Sequence, residues 1–523
     1  MSLDSAQLQP GPAGSEGATT HRAGSTAPSA PSSGPLCVDL DGTLVKSDTL
    51  LDTLLVLARQ RPRSLLYAPR WIVQGKAAFK RKLSLLVALD VAHLPYNRPL
   101  LDYLRQQHAD GRAIYLTTGA DSKLAERVAA HLGIFAGVLA SDGNVNLTGR
   151  NKLAAFEQRF PAGFSYIGNE RCDLPLLTHC AAPMLANPRR GLRTGLRAAG
   201  MKPARTFTDS TSRLKAWLRA LRLHQWAKNT LIFLPLLLAH VRAVGPVVAV
   251  CLAFLSFGLA ASATYGFNDL LDVEADRHHP RKRNRPFAAG DLSPIAGVAA
   301  ILLLLASSLA LALLLPRALT MFSPQFPWAG QGRFIEWLLL YAVSTVAYSL
   351  RLKRMVLVDV IVLACLYTIR ILAGSAAAGV RVSPWLAAFS IFFFLSLAFV
   401  KRFAELESMS LRGEARGAAD TAAIHGRGYR VSDLEQLRSF GTASGYASVV
   451  VFALYIGNEV AQNLYAHHAR LWLLVPVLLL WLSRLWLKAS RGELHEDPVV
   501  YAITDRRSLQ LGVVVIAIVL SAL

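Results

Sequence analysis

Four oxygen-bearing side chains lie at helical spacing at the end of a long apolar run. Asp269, Asp272 and Asp276 occupy positions i, i+3 and i+7, which puts three carboxylates along one helix face, with Asn268 beside them. Neighbouring carboxylates repel one another unless a cation lies between them. Mg²⁺ favours such oxygen ligands and leaves coordination positions for phosphate oxygens. A solvated acidic helix end has the same pattern, but ionisable residues at the mouth of a hydrophobic bundle favour a site for Mg²⁺ and a diphosphate.

Basic residues follow the acidic group and recur at the ends of later apolar runs, where they could hold phosphate oxygens that a metal does not reach. They are Lys282, Arg283, Arg285, Lys353, Arg354, Arg370, Lys401 and Arg402. Lysine and arginine at the ends of membrane spans also act as anchors that need no ligand. Arg370 differs, because an unpaired charge deep inside a span costs at least about 2.5 kcal/mol. We expect it to pair with substrate or with Asp359, on the same helix face. Glu405, at i+4 from Lys401, is expected to form a salt bridge with it.

The composition favours a basic membrane protein. The 523 residues are too many for one ordinary domain. They are 53% hydrophobic, with mean hydropathy +0.35 and a formal net charge of +22. The apolar residues lie in long runs, mostly after residue 228, which argues against a nucleic-acid-binding protein and for anionic lipid or a phosphorylated substrate as partner. The five cysteines show no paired or metal-ligand spacing, so no disulfide framework is expected.

The chain divides by composition into four segments. Residues 1–34 are rich in Ser, Pro, Gly and Ala, lack the apolar region of a signal peptide and are expected to be disordered. Residues 35–205 alternate short apolar runs with helical patterns, which predicts an α/β domain with a parallel sheet and active residues at the carboxyl ends of its strands. Residues 206–228 form a basic amphipathic linker, where we expect a helix on the membrane surface. Residues 229–523 are dominated by apolar runs.

These apolar runs predict nine transmembrane helices in an all-α bundle, because each approaches the roughly 20 residues that cross a bilayer. They are residues 229–243, 245–267, 292–315, 334–350, 356–375, 384–400, 439–457, 470–487 and 508–523. The loops on one side of the spans hold 19 Lys and Arg residues, and those on the other side hold 5. By the positive-inside rule, the basic loops face the cytoplasm. We therefore expect a multi-pass protein of the inner (cytoplasmic) membrane, with its N-terminal domain and active sites on the cytoplasmic side.

The acidic group lies in a segment that resembles the motif of a known family. The segment NDLLDVEADRHHPRKRNRPFAAG resembles the first aspartate-rich motif, NDxxDxxxD, of the UbiA superfamily of intramembrane prenyltransferases. The likeness extends to LHQWAKN, which ends in Lys228 and Asn229, and to YSLRLKRMVLVDVIVLACLYTIRILAG, which begins at Tyr348. It covers about residues 214–523. Within the superfamily, the sequence is most similar to the branch that makes polyprenyl-phosphate phosphoribose, decaprenylphosphoryl-5-phosphoribose synthase.

The resemblance implies a nine-helix bundle with Mg²⁺ on Asp269, Asp272 and Asp276. The implied reaction transfers 5-phosphoribose from phosphoribosyl pyrophosphate (PRPP) to polyprenyl phosphate, with release of diphosphate. The basic residues given above would bind the substrates. They would be joined by Lys228, Asn229, Asn268, Tyr348 and Asp359.

The second motif of the resembled family departs from its usual pattern. The family has two aspartates there, DxxxD, whereas here Asp359 is followed by Leu363 at the fourth position and only one carboxylate remains. A reduced second metal site suits a PRPP donor better than a prenyl diphosphate. The alternatives are a UbiA-type prenyltransferase with a prenyl diphosphate donor and an aromatic acceptor, and a transporter. Transporters often show internal repeats, and this sequence shows no such symmetry.

The N-terminal segment resembles a second family. In VDLDGTL, Asp39 and Asp41 end an apolar run, as in motif I of the haloacid dehalogenase (HAD) superfamily of phosphotransferases. The resemblance covers about residues 35–205 and implies a Rossmannoid parallel sheet with a helical cap at about residues 46–108. In that family the first aspartate attacks phosphorus and the second protonates the leaving group, which divides hydrolysis into two steps.

The remaining motifs of this second family fit less completely. Thr118 in YLTTGA fits motif II, which binds the phosphoryl group, and Lys152 in GRNK fits the charge-balancing lysine of motif III. In motif IV, Asn169 stands where the family has an acidic residue, while Asp173 is present. The implied Mg²⁺ ligands are Asp39, Asp41, Asn169 and Asp173. Because the amide of Asn169 is neutral, metal affinity should fall. The domain is then either an active hydrolase or a regulatory or scaffolding module.

The two resemblances together predict a bifunctional enzyme. The membrane half would make lipid-linked phosphoribose, and the fused phosphatase would remove the 5-phosphate from that product, since tethering raises the local concentration of product at the second site. The expected partners are polyprenyl phosphate, PRPP and the membrane, with no nucleic acid. A homo-oligomer is left open.

Overall fold

A six-stranded parallel sheet forms the centre of the N-terminal region in the computed structural model, which describes residues 34–322, 333–414, 428–494 and 498–523. Its strands are β1 (Leu36–Asp39), β2 (Ile114–Asp121), β3 (Gly137–Ser141), β4 (Ser165–Gly168), β5 (Ala182–Ala186) and β6 (Arg205–Phe207). They lie in the order β3-β2-β1-β4-β5-β6. Every residue of the central strands β1 and β4 is buried, as expected for a parallel sheet covered on both faces. The predicted disordered tail lies almost entirely outside the described residues.

Helices connect the strands and pack on both faces of the sheet. They are α1 (Thr49–Gln60), α2 (Ala68–Val73), α3 (Lys76–Leu86), α4 (Arg98–Ala109), α5 (Ser122–Leu132), α6 (Arg150–Arg159), α7 (Leu174–His179) and α8 (Leu192–Ala198). The first four lie between β1 and β2, in the stretch for which the sequence predicts a helical cap. Asp48 caps the start of α1, where its side chain accepts from the backbone N–H groups of Leu50 and Leu51.

The linker forms a short helix, α9 (Arg213–Leu221), that joins the sheet domain to the bundle. Its small residues Ala216 and Ala220 are buried against the bundle, while Leu214 and Leu218 are exposed. A 3₁₀ segment, Leu223–Phe233, follows and leads into α10 (Leu234–Leu238). The amphipathic pattern predicted from the sequence therefore corresponds to a helix with one packed and one free apolar side.

The C-terminal region is helical. Its elements are α11 (Val244–Leu271), α12 (Val273–His278), α13 (Pro294–Phe322), α14 (Arg333–Leu350), α15 (Val358–Ala378), α16 (Pro384–Glu414), α17 (Leu434–Ile456), α18 (Glu459–Leu464), α19 (Leu474–Ser490), α20 (Pro498–Thr504) and α21 (Arg506–Ala522). Among the described residues, six helical stretches are long and apolar enough to cross a membrane. They are Val244–Leu271, Pro294–Phe322, Val358–Ala378, Pro384–Ser410, Val431–Ile456 and His468–Ser490.

The other three predicted spans fall on shorter or more polar helical segments. Residues 229–243 coincide with the 3₁₀ segment and α10, residues 334–350 with α14, and residues 508–523 with α21. The 17 residues of α21 rise only about 26 Å, less than the thickness of a bilayer core. The number of nine transmembrane helices therefore stays a prediction.

The sheet domain packs against one end of the bundle. The guanidinium of Arg277 on α12 lies 2.8 Å from the carboxylate of Asp52 on α1, and both side chains are buried. At the edge of this contact, His278 lies 3.1 Å from Asp90, which also accepts from His93 at 2.8 Å. The end of the bundle that carries the acidic group is therefore the end that faces the N-terminal domain.

Candidate active sites

The acidic group is built at the junction of two helices. Helix α11 ends at Leu271, Asp272 caps it, and α12 continues at once. The backbone N–H of Asp276 donates to the carbonyl of Asp272 at 2.7 Å, so the helical turn is kept across the junction. Asp269 and Asp276 are buried, and Asp272 is half-buried. Three carboxylates are thus held at one end of the bundle by a nearly continuous helix.

Cationic side chains lie between these carboxylates. Nη1 of Arg285 lies 3.1 Å from Oδ1 of Asp269 and 2.7 Å from Oδ2 of Asp276, so one guanidinium bridges both. Nζ of Lys353 donates to Asp272 at 2.7 Å and to the amide oxygen of Asn268 at 3.4 Å. Carboxylate and amide oxygens alternate with basic groups. This arrangement can hold both a divalent cation and phosphate oxygens.

Two further cations complete the group, and sequence reasoning missed both. Arg222 donates to Oδ2 of Asp269 at 2.7 Å, from a left-handed backbone position between α9 and the 3₁₀ segment. Arg59, on α1 of the sheet domain, lies 3.3 Å from Oδ1 of Asp272. A signal existed for Arg222, since it directly precedes the LHQWAKN motif. Arg59 belongs to another domain, and no motif in the sequence connects it with the acidic group.

Partial burial shifts the protonation of this group. Burial raises the pKa of Asp276, although the neighbouring Arg285 opposes the rise. Burial likewise lowers the pKa of Lys353, although its contact with Asp272 favours the charged form. Both shifts show that the charges are partly withdrawn from water, which strengthens their attraction to a charged ligand.

Arg370 is not paired with Asp359. Its Nε donates to the side-chain oxygen of Asn229 at 2.9 Å, and its terminal nitrogens contact the carbonyl of Leu366 and the hydroxyl of Tyr341. The expected pairing fails because eleven residues of helix rise about 16 Å, too far for the two side chains to meet even on a shared face. Asn229 is fully buried and orients Arg370 inside the bundle.

Asp359 is instead satisfied by the protein. It accepts from the guanidinium of Arg402 and from the hydroxyl of Tyr429, and both charged side chains are almost fully buried. Arg402 also donates to the hydroxyl of Tyr348 at 2.9 Å and to Glu405 at 2.8 Å. Glu405 therefore has an arginine partner at i−3, and its expected salt bridge with Lys401 stays a prediction.

The remaining predicted residues of the membrane half lie around these clusters. Nζ of Lys228 lies 5.8 Å from the ring centre of Tyr367, a cation–π contact. Lys401 is half-buried on α16. The exposed members of the set lie in the loops after α12 and α14. They are Lys282, Arg283 and Arg354.

A second cluster lies at the carboxyl ends of β1 and β4. Nζ of Lys152 lies 2.7 Å from Oδ1 of Asp39 and 2.8 Å from the hydroxyl of Tyr166. That hydroxyl donates to Oδ1 of Asp173 at 3.0 Å. Thr43 lies 3.4 Å from the other oxygen of Asp39. A buried lysine is thus placed between the two carboxylates of this cluster.

The other predicted residues of this domain lie beside that cluster. The carboxylate of Asp41 accepts from the backbone N–H of Thr49 at 2.7 Å, at the start of α1. Thr118 is buried within β2, next to the strand that bears Asp39, and its hydroxyl oxygen accepts from the backbone N–H of Ala120 at 3.0 Å. A cavity of about 90 Å³ adjoins Asp41 and is lined also by Lys80 from α3. Its size suits a phosphate group rather than a lipid.

Asn169 carries an unsatisfied oxygen toward the same region. Its Oδ1 is buried and has no hydrogen-bond partner among the described residues. Asp173 does not compete for that position, because its Oδ2 accepts from the backbone N–H groups of Asn169 and Glu170. Gly42, with φ +72°, lies so close that a Cβ there would meet the Asn169 amide at 2.1 Å. An orphaned amide oxygen beside Asp39 fits a hard divalent cation.

Burial governs the protonation of the two aspartates of the VDLDGTL motif. It raises the pKa of Asp39 to about 6, although Lys152 opposes the rise. It raises the pKa of Asp41 to about 7, and the nearby charge of Asp48 adds to the rise. Burial alone would lower the pKa of Lys152, but Asp39 and Asp173 outweigh it and raise that pKa. One aspartate can therefore be ionised while the other keeps its proton.

Known proteins resemble this chain over different lengths. It is 38% identical to "Uncharacterized protein y4nM" of Sinorhizobium fredii, over 92% of this chain and 89% of that protein. It is 35% identical to Nodulation protein NoeC of Azorhizobium caulinodans, over 55% of this chain and 87% of that protein. It is 33% identical to decaprenyl-phosphate phosphoribosyltransferase of Corynebacterium glutamicum, over 47% of this chain and 68% of that protein.

Residues 230–501, more than half of the chain, match the family described as "UbiA prenyltransferase family". The match contains the acidic group and the six helices that could cross a membrane. The protein is therefore an integral membrane protein with a helical transferase domain, and the chain belongs to the UbiA prenyltransferase family.

Proposed function

We propose that the membrane half transfers 5-phosphoribose from PRPP to polyprenyl phosphate and releases diphosphate. The Corynebacterium relative is named for a reaction of this class, and the family match supports a transferase. The proposal places the reaction on the cytoplasmic side of the inner membrane, where the basic loops and the N-terminal domain would lie. The alternative within the family is a prenyl diphosphate donor with an aromatic acceptor.

The observation that carries the proposal is the occupied state of Asp359. Asp359 lies in a fully buried pair with Arg402 and also accepts from Tyr429. The basic partners of the acidic group are instead partly exposed, so they can turn to a phosphate group and leave carboxylate oxygens for a metal. The acidic group at Asp269, Asp272 and Asp276 then supplies the metal-binding carboxylates. One acidic group beside many basic side chains suits a donor that carries a 5-phosphate as well as a diphosphate.

The chemistry follows from the charges of the site. Asp269, Asp272 and Asp276 would hold Mg²⁺, which neutralises charge on a departing diphosphate. Arg285, Arg222 and Lys353 bind phosphate oxygens and orient the donor. The bond between C1 of ribose and the diphosphate oxygen breaks, and a bond from C1 to an oxygen of the lipid phosphate forms. The lipid phosphate is already an anion, so no general base is required.

An assay with a radiolabelled donor tests this function. Purified protein in lipid is incubated with polyprenyl phosphate and radiolabelled PRPP, and labelled lipid is separated by chromatography. We expect a labelled lipid phosphoribose, and we expect Asp272→Asn to reduce its formation more than a hundredfold, while Glu274→Gln on the same helix leaves it within twofold. Transfer of a prenyl group to an aromatic acceptor, with no product from PRPP, would contradict the proposal.

A phosphatase activity is our second proposal, for the N-terminal domain. It rests on the contact of Asp39 with Lys152, the different pKa values of Asp39 and Asp41, and the orphaned oxygen of Asn169. The oxygen atoms of Asp39 and Asn169 would hold Mg²⁺. Asp39 would attack phosphorus, and the protonated Asp41 would donate to the leaving oxygen. Its substrate is proposed to be the 5-phosphate of the lipid product.

The phosphatase proposal is tested with the same labelled lipid. With wild-type protein we expect release of inorganic phosphate and accumulation of lipid-linked ribose. Asp39→Asn should stop at the phosphorylated lipid while its formation from PRPP continues. If wild-type protein also stops at the phosphorylated lipid, the N-terminal domain does not hydrolyse this substrate.

A further inference from the structure

One helix connects the two candidate sites. At the start of α1, the backbone N–H of Thr49 donates to Asp41 at 2.7 Å. In its last turn, Arg59 reaches across the domain boundary to Asp272. Arg59 lies ten residues after Thr49, a rise of about 15 Å along the helix axis. The sheet domain therefore extends a basic side chain from beside its own site into the membrane site.

The guanidinium of Arg59 is fixed by two contacts in the membrane half. Its Nη2 lies 3.3 Å from Oδ1 of Asp272, and its Nη1 donates to the backbone carbonyl of Ser349 at 3.2 Å. Lys353 donates to the other oxygen of Asp272 at 2.7 Å. One carboxylate cannot neutralise two cations, so this trio keeps a net positive charge. The side chains of Arg59 and Asp272 are 17% and 15% exposed, which leaves them partly desolvated.

The whole group has the same excess of positive charge. Three carboxylates face four described cations, and those cations come from three separate parts of the chain. They are Arg59, Arg222, Arg285 and Lys353. A partly buried site with surplus positive charge attracts an anion. A guanidinium offers five donors in a planar fork that matches phosphate, and the described contacts of Arg59 engage only its two terminal nitrogens.

We propose that Arg59 is a substrate-binding residue of the membrane site, supplied by the N-terminal domain. Together with Lys353, it binds phosphate oxygens of the PRPP donor. The transferase site is then complete only when the sheet domain is docked on the bundle. This inference rests on the proposed phosphoribosyl transfer and adds to it the origin of one donor-binding group.

Other contacts hold the two domains together, so Arg59 is not needed as a tie. The buried pair of Arg277 and Asp52 lies within the contact. Lys46 of the sheet domain lies 3.2 Å from Asp291, which precedes α13 of the bundle. The rings of His93 and His278 are in contact, with centres 4.1 Å apart and planes tilted by 39°. Arg59 differs from these contacts, because its ion pair is with a carboxylate of the acidic group itself.

The test compares single variants of the full-length protein in nanodiscs. Arg59→Ala should raise the KM for PRPP about tenfold to a hundredfold, the range for one charge-assisted hydrogen bond. Arg59→Lys, which keeps the charge but loses the planar guanidinium, should give an intermediate KM. Arg63→Ala, an exposed arginine in the following turn, and His93→Ala, which removes an interdomain contact, should leave KM within twofold. Calorimetric titration with PRPP should show the same order of affinities.

The outcomes separate the inference from the proposed function. If wild-type protein makes labelled lipid and Arg59→Ala has an unchanged KM, the inference is wrong. It is also wrong if His93→Ala raises KM as much as Arg59→Ala, since Arg59 would then act only through docking. If Arg59→Ala does not fold, the intermediate KM of Arg59→Lys decides. If wild-type protein makes no lipid product from PRPP and does not bind it, the proposed function itself has failed.

Discussion

A buried ion pair distinguishes the second acidic position of this chain from the first. Asp359 and Arg402 are both fully buried, whereas the carboxylates of the first group contact basic residues that remain partly exposed. Charges this far from water are tolerated only when their partners stay in place. We therefore infer that the ion pair of Asp359 with Arg402 holds α15 against α16. Tyr429 and Tyr348 form further hydrogen bonds to this pair.

We predict that Arg402→Met destabilises the protein by about 3–5 kcal/mol, because it leaves the carboxylate of Asp359 buried without its counterion. Unfolding of the purified protein in detergent measures the change. Arg354→Met, at an exposed position in the loop before α15, serves as the matched control and should have little effect. The double variant Arg402→Met with Asp359→Leu should recover most of the loss. Equal stability of Arg402→Met and Arg354→Met would contradict the role given to the pair.

Hydrolysis by the N-terminal domain should have a bell-shaped dependence on pH. The nucleophile Asp39 must be ionised, so the rate should rise as pH passes its pKa of about 6. The acid Asp41 must be protonated, so the rate should fall as pH passes its pKa of about 7. Initial rates with p-nitrophenyl phosphate between pH 4 and about pH 9 measure this. A rate that keeps rising above the pKa of Asp41 would exclude it as the acid.

Residue-level reasoning from the sequence reached some of these groups and not others. The helical spacing of Asp269, Asp272 and Asp276 was enough to place them on one side of a helix, since that depends on local geometry alone. Of the two partners expected for Arg370, Asp359 is wrong, because a shared helix face does not ensure contact across three turns, and the substrate stays a prediction. Arg59 could not be found, since its role depends on how two domains dock, which no local pattern encodes.

At the scale of elements, close backbone approach matters more than hydropathy. Hydropathy located six helices that can span a membrane, whereas residues 229–243 form the end of the 3₁₀ segment and α10. That segment lies against α15 at Gly374, where a Cβ would meet the carbonyl oxygen of Ile232 at 2.0 Å. Apolar content alone does not distinguish such a 3₁₀ segment from a regular span. The six-strand order of the sheet likewise depends on long-range pairing that short motifs do not specify.

We predict that Gly374→Ala destabilises the bundle by about 1–3 kcal/mol, because the added methyl group forces α15 away from the segment that carries Asn229. Melting temperature in detergent measures the effect. Gly512→Ala in α21 is the control, since nothing lies within 4 Å of a Cβ there. It should be neutral or stabilising by up to about 1 kcal/mol through helix propensity. Similar melting temperatures for the two variants would contradict the close approach.

At the scale of the whole molecule, one chain carries two candidate Mg²⁺ sites with different ligand charges. The membrane site has three carboxylates, and the N-terminal site has the neutral amide of Asn169 beside Asp39. Affinity for a hard divalent cation rises with the number of charged ligands. The two activities of a single preparation should therefore respond differently to the same free Mg²⁺ concentration.

We predict that chelation with EDTA abolishes both activities and that, on adding Mg²⁺ back, the two activities recover at different concentrations. Asn169→Asp should lower the Mg²⁺ concentration for half-maximal phosphate release about tenfold, because it adds a negative ligand. Transferase activity of the same sample is the internal control and should not move. A parallel shift of both titrations would mean that residue 169 does not act at a separate metal site.

The helical rod between Thr49 and Arg59 limits how this protein can be recombined with its homologues. One inserted residue in α1 turns Arg59 by about 100° around the axis, and seven inserted residues carry it about 10 Å further along. Either change moves the guanidinium of Arg59 away from its contacts in the membrane half, while each half keeps its own internal contacts. Hybrid proteins that exchange N-terminal halves should therefore retain the parental KM for PRPP only when the number of residues from Asp41 to Arg59 is preserved.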